Sequence, residues 1–506
     1  MEEHIAANTN RIQTTLTAYQ EFLTTPLKVR LELHQRTSPE STALALFHRV
    51  AATVPAYQAF LQEHAIEPKS IQTFADYQTL PLITKENYLQ RYPLADLCRN
   101  GQLEMCDMIA VSSGSTGKPT FWPRFLGDEL QIATRFEQIF HDSFAAATRR
   151  TLAVICFTLG TWVGGMYTAN CCRFVANKGY PITVVTPGTN KEEIFRVVQE
   201  LGGAFEQVVL LGYPPFIKDV IDSGLAWGID WRRYSLKMVF AGEVFSEEWR
   251  SLVGERVGST HPCYDSAALY GTADAGVLGN ETPLSICIRR FLADNPDVAR
   301  MLFGESRLPT LVQYDPLSRL FETDKGTLLF SGDNGIPLVR YHISDTGGLI
   351  TYDRMLQFLA EKGFEPLQML QAGGGGIYTL PFVYVFGRNF IVSYFGANIY
   401  PENISVGLEQ PTIKEWVTGK FVLQVKEDAA YDRSVWVVVE LAPGVEASLD
   451  KQQAIANSIK FHLLRLNSEF ANYVPANYQT PQVDLAPSGD PEYFPIGVKH
   501  RYTRPQ

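Results

Sequence analysis

Between about residue 105 and residue 245, short apolar runs alternate with longer stretches that carry one apolar face. The runs are MIAV, LAVICF, ITVVT, QVVLLG and LKMVFAG, and NKEEIFRVVQELGG is typical of the stretches between them. A strand that is apolar on both faces has to be covered on both faces, as in a parallel sheet flanked by helices. The alternation therefore predicts an α/β fold. Residues 10–100 read differently, as a helical, aromatic-rich lead-in, with PESTALALFHRVAATVPAYQAFLQEH placing apolar residues at helical spacing after a Ser/Thr start. A further strand-rich part follows at 310–400, including GTLLFSG and PLVRYH. FVLQVKE, VWVVVELAPG and the helical DKQQAIANSIKFHLLRLN then predict a small α+β unit. The expected organisation is a large multi-sheet N-terminal domain over 1–387, lead-in 1–100 included, and a small C-terminal domain over 388–506. The GGGG run at 373–376 is expected as an exposed loop.

Length and charge narrow the function. With 506 residues, 45% of them hydrophobic, the chain exceeds the roughly 250–300 residues at which one core stops growing. The net charge of -10 and the lack of a basic face argue against a nucleic-acid partner. Seven cysteines, an odd number in a long chain with no C-x-x-C pair, do not make a disulfide framework. His261 and Cys263 lack the second ligand pair that a zinc centre needs. The opening MEEHIAANTN is acidic and polar, unlike a signal peptide, so a cytoplasmic protein is expected. No charge occurs from Leu152 to Cys172, but Gly160, Gly164 and Gly165 interrupt the stretch. A strand, a glycine turn and a buried helix are expected there rather than a membrane span.

The strongest local signal is Val111-Ser112-Ser113-Gly114-Ser115-Thr116-Gly117-Lys118-Pro119-Thr120, directly after the strand MIAV. Glycines let a backbone approach an anion and turn several N–H groups toward it. The hydroxyls of Ser112, Ser113, Ser115 and Thr116 add donors, and Lys118 adds a point charge. The spacing is not that of a Walker A loop, which needs four residues between its glycines and Ser/Thr after the lysine.

This string resembles the phosphate loop of the adenylate-forming superfamily, the AMP-forming acyl-CoA synthetases and their relatives, and more narrowly its phenylacetate–CoA ligase branch. The resemblance runs from about residue 80 to the end. Ala241-Gly242-Glu243 resembles the adenine-contacting loop. Tyr270-Gly271-Thr272-Ala273-Asp274 is similar to the Y-G-x-T-E segment, which implies Tyr270 on adenine, Thr272 at the α-phosphate and Asp274 on magnesium. Here the threonine stands one place earlier and aspartate replaces glutamate. A helix N-cap is the plainer reading of Asp274. Pro337–His342 followed by Ser344-Asp345 resembles the segment whose aspartate binds both ribose hydroxyls, a task suited to two acceptor oxygens.

Gly387-Arg388 and the following Gly396–Glu402 resemble the opening of the family's mobile small domain, with Arg388 toward ribose or phosphate. Phe390 stands where the family often has an acidic hinge. Lys499 stands where the resemblance implies the catalytic lysine, with Lys118 as the second cation. An acid pocket is expected from Phe157, Trp162, Gly164, Gly165 and Tyr213, aromatic walls with a glycine floor suited to a flat ring. The resemblance thus implies ATP and Mg2+ as cofactors, a small carboxylic acid as substrate, CoA as acceptor and a dimer as a common assembly. The segment 285–320 departs from the phenylacetate–CoA ligase text, which keeps an amine, a hydroxyl or a carrier thiol open as acceptors, and a deazaflavin hydroxyl as the group adenylylated. A non-catalytic AMP/ATP-binding sensor is the reading of another class.

Overall fold

The computed structural model describes residues 2–112, 120–161, 163–305, 308–370, 376–387, 392–395, 397–427, 433–467, 470–471, 474–495, 500 and 502–503. A hairpin comes first, β1 (Met108–Ser112) against β2 (Thr120–Arg124), with Ser112 opposite Thr120 and Met108 opposite Arg124. Five strands then run parallel: β3 (Thr151–Ile155), β4 (Ile182–Val185), β5 (Gln207–Gly212), β6 (Lys237–Ala241) and β7 (Ser266–Thr272). Their spatial order is β4-β3-β5-β6-β7.

At β7 the direction reverses. β8 (Gly276–Asn280) returns antiparallel, followed by β9 (Thr310–Gln313), β10 (Leu320–Asp324), β11 (Thr327–Gly332), β12 (Leu338–Ile350) and β13 (Phe382–Gly387). The order onward from β8 is β9-β13-β12-β11-β10, all antiparallel. Among the described residues these two halves form one sheet of eleven strands. From Thr310 to Gly387 the strand-rich part thus extends the sheet begun at 151.

Period-2 alternation distributes the parallel strands between two cores. Leu152, Val154, Val208 and Leu210 face Ile194, Val198, Ile217, Trp231 and Trp249. Ala153, Ile155, Val209 and Leu211 face Phe136, Phe140, Tyr167 and Cys172 on the other side. The covering helices follow from local sequence. In Lys191–Leu201, the Asn190 side chain accepts from the Glu193 N–H, and Ile194, Phe195, Val197 and Val198 form the buried stripe.

β12 serves two neighbours in turn. Leu338, Tyr341 and His342 pair with β11, whereas Gly347–Ile350 pair with β13. Arg340 (φ +50°), within the first half, and Ser344 (φ +69°), between the halves, adopt left-handed backbone, and the ladder register shifts. The lead-in is fastened to this strand, because Ile83 N–H donates to Arg340 O and His342 N–H donates to Ile83 O.

After Gly387 come β14 (Val392–Tyr394), β15 (Ala397–Ile399), β16 (Val417–Glu427), β17 (Arg433–Leu441) and β18 (Gln482–Ala486). β16–β18 form a sheet of their own with a separate core, covered by the helices Pro401–Leu408 and Leu449–Leu466. This segment meets the rest along a polar seam. Lys218 Nζ donates to Val417 O at 3.2 Å and to Asp222 at 2.8 Å, and Ser246 Oγ donates to Glu409 at 2.6 Å. Burial, helped by Arg256, pushes the Lys218 ammonium down to about 7, and burial pushes the Glu409 carboxyl up to about 7.

No described helix is long and apolar enough to cross a membrane, and no disulfide joins the described cysteines. Leu152–Cys172 divides as expected into β3 and the helix Val163–Asn177. Trp231 is fully buried, donates its indole N–H to Ile221 O at 2.9 Å, and packs where Gly224 leaves room. Trp231→Ala should therefore cost about 3–5 kcal/mol, read as a lower denaturant midpoint at unchanged slope.

Candidate active site

The carboxyl ends of β3, β5, β6 and β7 open on one edge of the sheet, where ligands of open α/β sheets bind. Phe157 leaves β3, Tyr213 leaves β5, Gly242 and Glu243 leave β6, and Thr272 ends β7. The Phe157 and Tyr213 rings meet edge to face at 4.9 Å. A Cβ on Gly164 would lie 3.4 Å from the Tyr213 hydroxyl and 3.5 Å from Phe157. Gly242 has φ +88°, and a Cβ there would come within 2.9 Å of the Tyr213 ring. Phe157, Gly164 and Gly242 thus converge from three segments on one aromatic ring. Gly165 answers to another neighbour: a Cβ would fall 2.3 Å from Thr158 O, so glycine lets the helix Val163–Asn177 start against that loop.

The second half of the site lies between the β7–β8 turn and bent β12. Tyr270 Oη donates to Asp345 Oδ2 at 2.7 Å, and both side chains are buried. Tyr341 Oη donates to Asp274 Oδ2, and Lys85 Nζ lies 3.6 Å from Asp274 Oδ1. Asp274 sits in the β7–β8 turn, not at a helix start. Thr272 Oγ1 accepts from the Ala275 N–H at 3.2 Å, closing that turn. Gly271 permits it, since a Cβ there would meet Gly276 O at 2.6 Å. As a magnesium site, Asp274 offers one carboxylate oxygen not held in a hydrogen bond to Tyr341. No cluster of three His, Cys, Asp or Glu occurs among the described residues. Such a donor set suits a cation held jointly by one carboxylate, phosphate oxygens and water.

Ser113, Gly114, Ser115, Thr116, Gly117, Lys118, Trp162, Arg388, Phe390 and Lys499 lie outside the described residues, as does the Ser112 side chain. Their described neighbours reach this edge. Val111 N–H at the end of β1 donates to Thr161 O at 2.8 Å, in the loop after β3. Tyr502 Oη donates to Glu243 Oε2 at 2.9 Å. Burial, with the Glu243 charge adding to it, raises the phenols of Tyr213 and Tyr502 above the usual range. Lys85, Tyr341 and Tyr502 were not among the residues singled out from sequence. Tyr341 lies inside the PLVRYH run and Tyr502 three residues after Lys499, while Lys85 carries no local signal.

The glycine at 242 is open to a direct test. Gly242→Ala combines a left-handed backbone with a clash on Tyr213 and should cost about 1–3 kcal/mol in chemical unfolding. Tyr213→Ala removes the obstructing ring, so the double variant should be less destabilised than the sum of the singles.

No family model matches the chain. Over 340 residues it is 22% identical to the phenylacetate–coenzyme A ligase of Thermus thermophilus, covering 66% of this chain and 69% of that one. Among solved structures, 2-hydroxyisobutyryl-CoA ligase in its postadenylation state, in complex with R3-HIB-AMP, superposes with a TM-score of 0.66 at 13% identity, over 92% of this chain and 89% of the other. The same ligase with 2-HIB-AMP and CoA in the thioesterification state gives 0.52 at 13% identity, over 96% and 91%. The chain thus shares the fold of this CoA ligase, and over about two thirds of its length its sequence is similar to that of the phenylacetate–coenzyme A ligase.

Proposed function

We propose that the chain joins a small carboxylic acid to AMP at the expense of ATP, releases pyrophosphate, and passes the acyl group to CoA. The observation that carries this is the meeting of separate motifs at one sheet edge. The Tyr213–Gly242–Glu243 corner and the Tyr270–Asp345 pair are supplied by distant parts of the chain. In this reading Asp345, held by Tyr270, accepts from the ribose hydroxyls, and Gly242 and Glu243 border the adenine. Phe157, Trp162, Gly164, Gly165 and Tyr213 enclose the acid, and their aromatic walls favour an aryl group. The loop Ser112–Lys118 and Thr272 take the phosphates, and Arg388 takes the ribose or phosphate side. Asp274 would hold magnesium, which when bound neutralises phosphate charge.

The chemistry needs no general base. A carboxylate oxygen attacks the α-phosphorus in line, forming the P–O bond of the mixed anhydride as the bond to pyrophosphate breaks. Two anions must meet, so positioning and fixed cations do the catalysis. Lys118 and Lys499 are those cations, and the Tyr502–Glu243 bond brings the C-terminal tail to the edge where Lys499 is required. The segment after Gly387, with its own core, is the part that would move to admit the acceptor.

The test is acid-dependent exchange of pyrophosphate into ATP with a panel of aryl acids. Lys499→Ala should lower that exchange by roughly 10²–10³-fold, and exchange at the wild-type rate would remove the assigned role. Mass spectrometry with CoA present should show the acyl thioester. An amide or an ester product would replace CoA as acceptor, and an adenylylated deazaflavin would replace the acid as the group activated. Tight nucleotide binding without any turnover would make the protein a sensor and overturn the enzyme reading.

A further inference from the structure

Two arginines lie beneath the turn that carries Asp274. Arg124 ends β2 and Arg319 immediately precedes β10, and each is only 2% exposed. Arg124 Nη2 donates to Ala273 O at 2.5 Å, and Arg319 Nη2 donates to Ala275 O at 3.1 Å. The two carbonyls flank Asp274. Arg319 is itself held, its Nη2 donating to Asn334 Oδ1 at 2.7 Å and its Nη1 to Ser318 O at 2.7 Å. Arg124 lies over the Tyr167 ring, 5.5 Å from its centroid.

Burying a guanidinium costs several kcal/mol unless its environment answers the charge. Here the buried Asp128 carboxylate answers both charges electrostatically, while peptide carbonyls and an aromatic face supply the direct contacts. The Nε of each arginine and the Tyr167 hydroxyl are buried without a partner. A core shaped for stability alone would have satisfied or avoided these groups. What the arrangement does provide is fixed spacing. Arg124 stands at the base of the β1–β2 hairpin, opposite Met108. The same base is pressed against the Asn334 segment, for a Cβ on Gly335 would fall 2.0 Å from Pro123 O. The β1–β2 hairpin, Asp274 turn and Asn334 segment are therefore joined through two charge-assisted donors.

We infer that Arg124 and Arg319 are positioning residues that hold the Asp274 turn at one distance from the β1–β2 hairpin, so that magnesium and the nucleotide phosphates are gripped together. This rests on the functional reading above. The experiment is calorimetric titration of the full chain with ATP, with magnesium and with EDTA, for Arg124→Lys, Arg319→Lys and Asn334→Ala. Lysine keeps the charge but loses the planar fork, and Asn334→Ala frees Arg319 without changing it. Affinity in magnesium should fall by about 10-fold or more, as for other residues that orient a metal ligand, with little change in EDTA. The KM for the acid should stay near wild type while the KM for ATP rises.

Wild-type affinity in folded variants would overturn the inference, and so would equal losses with and without magnesium. If the lysine variants fail to fold, Asn334→Ala decides on the same criteria. Absence of acid-dependent exchange in the wild type would sink the proposed activity instead, and the magnesium-dependent difference in ATP binding would still be read.

Discussion

Two phenol-to-carboxylate hydrogen bonds, Tyr270 to Asp345 and Tyr341 to Asp274, hold the site together. β12 stands four places from β7 in the sheet order, a separation of roughly 19 Å at the usual strand spacing. A 2.7 Å bond across that gap requires the sheet to curl back on itself. The left-handed residues Arg340 and Ser344 lie in the stretch of β12 where the pairing partner changes from β11 to β13. Backbone strain at two non-glycine positions is thus tied to the place where the two halves of the sheet meet.

The reversal at β7 gives that meeting its direction. Every parallel strand delivers its carboxyl end to the same edge, and the return along β8 puts the Asp274 turn there as well. Glycines then set how closely the loops approach. Gly242 gives way to Tyr213 and Gly271 to the Gly276 carbonyl, so each loop lies nearer its neighbour than any side chain would permit.

The α/β class was legible because strands such as Leu152–Ile155 and Val208–Leu211 are apolar at every position, which only double-sided burial explains. After Gly387 the strands FVLQVKE and VWVVVEL and the long helix were legible for a similar reason, and β16, β17 and Leu449–Leu466 stand there. What could not be read was which distant strands pair. Nothing local to Thr310–Gln313 says that it lies between β8 and β13. The site shows the same division. Glycine, tyrosine and aspartate at motif spacing pointed to Gly242, Tyr270, Asp274 and Asp345. The partners Lys85, Tyr341, Arg124 and Tyr502 come from contacts across the fold. For Asp274 the helix N-cap alternative fell because β8 follows the turn directly. The bend at Arg340 and Ser344 had no signal, since neither residue type advertises left-handed backbone.

The seam along Lys218 and Glu409 has a consequence for how firmly the last segment is held. Exposed to water, these groups would titrate near 10.5 and 4.5; within the seam both titrate near 7. As pH climbs from 4.5 to 7, opening gains from Glu409, whose carboxyl ionises more readily in water. As pH drops from 10.5 to 7, opening gains from Lys218, which takes up its proton more readily in water. The two penalties reach full strength together only around neutrality. Cohesion across this boundary therefore passes through a minimum there, and separating the faces is easiest where neither extreme of acidity helps to keep them shut.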